Sequence, residues 1–169
     1  EWLYRANEIL PFGSSHRILP SRVTSDSRDL GGLFNSIGAQ LRFNDQDNQF
    51  GLEFLRGIGL GQKDRYVCLA VRDHAYLNQT YENRDWSYHN FRDTKIESYE
   101  SAVVALAERG LWVFRMGKVV DNQLSVDHPR VVDYAISKHR SDFLDIWLMA
   151  HCHFAISTGL GLDSIADIF

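Results

Sequence analysis

The sequence predicts an α/β fold: an open parallel, Rossmann-like sheet with helices on both faces. Three observations carry that expectation. The run "RYVCLAVR" is apolar on both faces from Tyr66 to Val71, the mark of a central strand in a parallel sheet. Further strand-like runs, "LWVFRMG", "RVVDYA" and "CHFAIS", alternate with helical patterns, as right-handed crossovers require. The last of them runs into "STGLGLD", a glycine-rich turn ahead of a helix opening at Leu162.

Taken in order, residues 1–43 lack sustained periodicity and hold Pro11, Gly13, Pro20, Gly31, Gly32 and Gly38. They read as loops with short helices. A helix follows in "NDQDNQFGLEFLRGIGL", with Asn44 as N-cap, Asp45 and Asp47 in its first turn, and Phe50, Phe54 and Leu55 as the buried stripe. Residues 1–60 are therefore expected to be a loop-rich, helical lead-in connecting to a missing upstream part, and residues 61–169 a Rossmann-like domain truncated at its C-terminus. A long polar loop from Asp73 to about Asp93 carries Tyr76, Tyr81, Trp86, Tyr88, His89 and Phe91, which argues for an ordered, functional loop. Next comes the clearest helix, "TKIESYESAVVALAERG". Thr94 and Glu97 form a capping-box pattern, Ile96, Tyr99, Val103, Leu106 and Ala107 share a face, and Gly110 is the stop. Ser141 caps the helix "SDFLDIWLMAH".

The totals exclude several classes. Net charge is −4, so there is no general basic field for nucleic acid. No run approaches the ~20 apolar residues of a membrane span. The opening "EWLYRANEIL" carries Glu1, Arg5 and Glu8, unlike a signal peptide, and reads as an internal cut. Cys68 and Cys152 sit in apolar runs and are expected to be reduced and buried in a cytoplasmic protein.

Open parallel sheets bind ligands beyond the carboxyl ends of their strands. That rule selects Arg72–Asp73, Arg115–Met116–Gly117, the stretch near Ser137 and Lys138, and Ser157–Thr158–Gly159–Leu160–Gly161. The last offers amides and hydroxyls to a phosphate, with Arg115 adding charge from a neighbouring strand. The competing reading is a tight turn whose helix is capped by Asp163 or Ser164. Asp73, His74, Asp85 and His89 could serve as general bases or as surface hydrogen-bonding groups. Arg92, just before the capping box, could bind an anion or pair with Asp73. His151 and His153 would share a strand face, but two ligands make no metal site, and none is expected. Asp133 inside an apolar strand requires a backbone or arginine partner.

The strings "VCLAVRDHAYL", "RDWSYHNFRDTKIESY", "RGLWVFRMG" and "VVDYAISKHRSDFLDIWLMAHCHFAISTGLGLD", with "LPFG" and "RDLGGLF" upstream, resemble in order and spacing a family of bacterial surface-polysaccharide glycosyltransferases. The resemblance runs from about Ile9 to the end. It implies the donor-binding, C-terminal half of a GT-B enzyme, with a nucleotide-sugar as substrate, no metal cofactor, and a glycan or lipid-linked acceptor at the inner face of the membrane. "VRD" is also similar to the H-x-R motif of fucosyltransferase-like enzymes; Ala70 stands where that histidine would be, and Arg72 matches. Homologous chains are expected to continue with another strand, so this chain alone would be inactive.

The expected donor site is Arg72, Arg92, Arg115, Gly117, Ser157, Thr158, Gly159 and Gly161, with Asp73 as catalytic base and Trp86, Tyr88 and His89 toward the acceptor. A noncatalytic glycan- or protein-binding module is the alternative, its aromatic loop stacking on a partner. A dinucleotide oxidoreductase fits less well, because "RDHAYL" replaces the glycine-rich turn after the first strand.

Overall fold

The computed structural model describes residues 2–13, 36, 38–81 and 83–169. "RDLGGLF" and most of the loop-rich lead-in lie outside the described residues. The chain divides into two units, 1–38 and 39–169. The first contains helix α1, Trp2–Ile9. The boundary thus falls well before residue 60, because helix α2, Asp45–Gly57, belongs to the second unit. Asn44 caps α2 by accepting the Asp47 amide at 2.8 Å, and Gly51 explains its docking. A Cβ there would lie 2.2 Å from the Trp147 ring, so only glycine lets the two backbones approach. Trp147 in turn donates its indole N–H to Asn48 at 3.2 Å. Leu55 is buried as expected, whereas Phe50 is exposed over much of its surface, its ring edge-on to that of Phe143.

Four strands form one parallel sheet: β1 Tyr66–Ala70, β2 Trp112–Met116, β3 Val131–Val132 and β4 Phe154–Ser157, in the order β3-β2-β1-β4. The chain steps outward from β1 to β3, then returns to the other side of β1. The order therefore reverses between β1 and β4. β1, flanked on both sides, is buried along its whole length, which is why its sequence shows no alternation.

Helices cover both faces. Helix α4, Glu100–Glu108, follows a 3-10 turn at Ile96–Tyr99 and lays Val103 against Leu69 and Val113. Helix α5, Asp142–His151, lays Leu144, Trp147 and Leu148 with Leu55 against Cys68, Ala70 and Phe114. Successive β1 residues alternate between these two cores, as the strand period of two dictates. Ser141 caps α5 through Leu144 N–H at 3.1 Å. The capping box expected at Thr94 does not form: the Thr94 amide bonds Arg72 O at 2.9 Å, and the first turn tightens to 3-10 geometry. The third strand is shorter than its sequence run, because Asp133 leaves the ladder and Tyr134–Ile136 turn into a 3-10 helix.

The loop after β1 contains structure of its own. Helix α3, Ala75–Thr80, and a 3-10 segment, Ser87–Arg92, lie within it. The final helix, α6, spans Ser164–Ile168.

Candidate functional site

The carboxyl ends of β1 and β4 are stitched together by main-chain and hydroxyl bonds. The Arg72 amide donates to Thr158 Oγ1 at 2.8 Å, and the Thr158 amide donates to Ala70 O at 3.2 Å. The Arg72 guanidinium pairs with Asp93 at 3.3 Å, and His74 approaches the same carboxylate at 3.7 Å. Asp73 Oδ1 accepts the Ala75 amide and Oδ2 the Asp121 amide, each at 3.0 Å. That fixes the carboxylate at the sheet edge and leaves further lone pairs on each oxygen.

The turn after β4 is filled by the protein itself. Ser157 donates its hydroxyl to Asp163 Oδ2 at 2.7 Å, and the Leu160 amide donates to the same oxygen at 3.0 Å. The Gly159 amide is taken by Ser157 Oγ at 3.1 Å. Asp163 thus sits where a phosphate oxygen was expected, and the turn acts as its cradle. Arg92 reaches the same turn: it donates to Gly159 O at 2.9 Å, a neutral acceptor that leaves its charge in place. In the expected phosphate socket at Ser157–Gly161, the amides of Thr158, Gly159 and Leu160 are thus taken by protein oxygens, while Gly161 lines the cavity described below. Ser157, Thr158 and Gly159 all bond within the protein, and Asp163, at the N-cap position of the last helix, turns its carboxylate back to the preceding turn and not to the helix amides.

Arg115 stands apart from the turn. The strand order sets β1 between it and the turn: Arg115 faces Leu69 in the ladder, and Leu69 faces Ile156. Its side chain is 1% exposed and is held by Asp133 at 3.3 Å and by Asn122 O at 3.0 Å. Asp133 also accepts the Leu124 amide at 2.7 Å, so the odd carboxylate finds both kinds of partner considered for it. Arg115 Nε has no partner among the described residues, and the residue lines a hollow of about 240 Å³ together with Asp73, His74 and Asp121.

On the other side of Asp73 lies a cavity of about 440 Å³. It sits over the carboxyl ends of β1 and β2 and against the turn after β4, beside the point where the strand order reverses. Val71, Met116, Leu77, Leu160 and Leu162 supply its apolar walls, and Tyr76 of α3 closes one side. Gly117 lines it as well; a Cβ there would lie 2.6 Å from Val120 Cγ1, so the glycine lets the segment after β2 fold back over the hollow. The polar lining is Arg72, Asp73, Lys118 and Asp145. Lys118 Nζ lies 3.2 Å from Asp142 at the exposed rim.

Asp145 was not singled out by the sequence, which presents it as one of two acids near a helix start. In the structure it is 7% exposed. Arg140 holds Oδ2 through Nε at 3.2 Å and through Nη2, while Oδ1 has no partner among the described residues. Burial pushes its pKa above the ordinary carboxylate value, against the opposing pull of Arg140. The available signal was the pattern Leu144–Asp145–Ile146, a carboxylate between apolar helix positions with an arginine five residues before it.

The three aromatic candidates come together. Trp86 stacks on Tyr88 with centroids 6.1 Å apart and on His89 at 6.0 Å, Tyr81 approaches at 5.7 Å, and the Arg84 guanidinium lies 4.7 Å from the Trp86 ring. A hollow of about 370 Å³ beside Trp86 reaches His74, which also borders the Arg115 hollow.

His151 ends α5 and stacks on Trp147 at 4.2 Å, and His153 lies 3.4 Å from Arg65; the two do not share a strand face. No group of three metal-ligating side chains occurs among the described residues. Cys68 and Cys152 are free thiols, the first buried and the second partly so. Among the described residues no helix is long and apolar enough to cross a membrane. Comparison with family models, with curated proteins and with solved structures gave no match.

Proposed function

We propose that this chain is the donor-binding half of a GT-B glycosyltransferase that moves a sugar from a nucleotide-sugar to a glycan or lipid-linked acceptor in surface-polysaccharide synthesis, on the cytoplasmic side. One observation carries the reading: the cavity of about 440 Å³ at the carboxyl edge of an open parallel sheet, beside its reversal point. Its volume falls in the usual ligand-pocket range of roughly 300–1,000 Å³, and its lining is apolar with a few polar groups. The motif resemblance, "VCLAVRDHAYL" through "STGLGLD", points to the same chemistry.

In this reading the donor lies in the cavity and not on the turn after β4. Arg72 and Lys118 face its diphosphate; Arg72 is exposed on 15% of its side chain, and Lys118 on 51%. Both engage the anion by exchanging their present carboxylate partners for phosphate oxygens. Asp73 borders the cavity and is the residue assigned as base. Titration of the protein with UDP, GDP, CMP and dTDP sugars by calorimetry tests the reading. Binding of at least one of them, weakened about tenfold or more by Arg72→Ala, is expected. Absence of binding by all of them removes it.

A second reading, a noncatalytic glycan-binding module, is favoured by the Trp86–Tyr88–His89 cluster, whose rings are partly exposed. Sugar rings stack on such faces. It is separated from the first by a glycan array: binding lost in Trp86→Ala and kept in Arg72→Ala, with no nucleotide bound, supports the module.

A further inference from the structure

The loop after β1 carries an aromatic group that the fold does not use. Tyr81, Trp86 and Tyr88 belong to neither core, and Tyr81 and Tyr88 are 51% and 59% exposed. They are nonetheless held together, with Trp86 as the hub on which Tyr88 and His89 stack and which Tyr81 approaches. The Arg84 guanidinium lies over the same ring. Such a contact orders a cation without neutralising it. Arg84 is exposed and forms no ion pair with a carboxylate among the described residues. Asp85, next in the chain, is turned to Ser87, whose amide donates to it at 2.9 Å. The hollow of about 370 Å³ beside Trp86 is lined by polar residues, Arg84, Asp85, Ser87, Asn78 and Asn90 among them, unlike the apolar cavity over the sheet.

We propose that this hollow and its rings form a subsite for an acidic glycan: an anionic pyranose unit, bearing a carboxylate or a phosphate, whose charge is taken by Arg84 and whose ring lies on Tyr88. The inference rests on the reading of the chain as one that handles a glycan, and it names the class of glycan. A guanidinium presents parallel N–H donors that match two oxygens of a carboxylate or phosphate. Because Trp86 already holds Arg84 in place, little ordering remains to be done when the anion arrives. The C–H face of a sugar ring packs against an aromatic face that is still open, which Tyr88 supplies. Asn78 and Asn90 carry both donors and acceptors, the combination that sugar hydroxyls require. A neutral sugar would leave the Arg84 charge unanswered, so the subsite discriminates by the anion. His74 lines both this hollow and the one that Asp73 borders, which puts the glycan on the path to the residue assigned as base.

The test begins with wild type on an array of neutral, uronate-containing and phosphorylated oligosaccharides. The best-bound glycan is expected to be anionic, and which anion it carries separates carboxylate from phosphate. That glycan and its carboxyl-reduced or dephosphorylated form are then titrated by calorimetry into wild type, Arg84→Gln, Arg84→Lys and Tyr88→Ala. Wild type is expected to bind the anionic form about tenfold or more tightly than the neutral one. Arg84→Gln is expected to lose that preference while keeping the affinity for the neutral form, with Arg84→Lys falling between. Arg84 is exposed, so its variants are expected to fold as wild type does. Tyr88→Ala is expected to weaken both forms alike. A neutral glycan bound best, or a preference for the anion that survives Arg84→Gln, overturns this inference and leaves the glycan reading standing. If no oligosaccharide binds, the glycan reading falls and this inference with it, while the nucleotide-sugar titration still decides on the donor cavity by itself.

Discussion

Two places on the same sheet edge have similar credentials and opposite fates. The turn after β4 has glycines, hydroxyls and a following helix; the hollow beside it has an apolar lining and a few charges. In the turn, the amides of Thr158, Gly159 and Leu160 all donate to protein oxygens, with Asp163 playing the anion. In the hollow, Asp145 keeps an acceptor oxygen unused. A loop rich in donors binds whatever acceptor is nearest, and a carboxylate a few residues along the same chain is always at hand. Donor-rich composition therefore marks a satisfied turn as readily as a ligand site.

The largest test of that contrast is Arg115→Ala. If Arg115 belongs to the core and not to a ligand, its loss strands Asp133, whose side chain is 12% exposed, without its cation. Breaking a buried pair in this way costs about 3–5 kcal/mol. Urea denaturation is expected to show that loss. A variant of unchanged stability that no longer binds nucleotide would move Arg115 back to the ligand side of the comparison.

Opening the turn is the next largest perturbation. Asp163→Ala removes the acceptor of both the Ser157 hydroxyl and the Leu160 amide. With the site partly exposed, a cost of about 1–2 kcal/mol is expected from two bonds to a charged group. The freed donors should also acquire affinity for inorganic diphosphate that wild type lacks at this position. A second diphosphate site appearing in Asp163→Ala, absent from wild type, is the calorimetric signature. Loss of stability with no new site would show that the turn collapses once its own anion is gone.

How much of this was legible beforehand follows from the range of the interactions. Strand β1, helix α5 with its Ser141 cap, and the parallel character of the sheet rest on local pattern and were readable from the sequence. The placement of Arg115 was not, because a strand-end arginine looks the same whether its neighbour across the ladder is β4 or, as here, β1 with β4 beyond. Asp163 was visible as a cap, but whether it would satisfy the turn depends on the backbone path between Ser157 and Asp163. Gly51 carries no local signal, since only the docked Trp147 ring explains it. Asp145 looked like an ordinary helix N-terminal charge, and its burial and its grip by Arg140 appear only once the helix has docked on the sheet. Thr94 was misread as a cap because its amide is claimed by Arg72 from another element.

A smaller effect sharpens the open side of the comparison. The Asp145 pKa is raised above the ordinary 3.8, with burial the leading cause. Between 3.8 and that raised value the folded state holds more proton on this group than the unfolded chain does. Its contribution to stability is therefore fully present below 3.8 and is lost as pH rises through the folded pKa. Asp142 acts in the opposite sense, its pKa being lowered by hydrogen bonds from Arg140 and Lys118, so the overall profile does not isolate Asp145. The difference between wild type and Asp145→Asn does. Urea midpoints measured from about pH 3.5 to about pH 7 should show the variant gaining on wild type as pH rises through that window. A variant that instead loses ground with rising pH would mean that the Arg140 bond dominates and the carboxylate is stabilised as the anion.

The smallest expected effect lies farthest from both places. Tyr88 is 59% exposed, and its ring meets His89 at 4.1 Å and Trp86 at 6.1 Å. Tyr88→Ala removes surface area that water already reaches, so stability should stay within about 0.5 kcal/mol of wild type. Nucleotide affinity should not move, because Tyr88 does not line the cavity of about 440 Å³. Glycan binding, read on an array, is the quantity expected to fall, since each exposed ring offers a stacking face for a sugar. If nucleotide affinity falls together with glycan binding, the aromatic cluster and the cavity operate as one site. The hollows joined through His74 and Asp73 would then form a continuous path from the rings to Asp145.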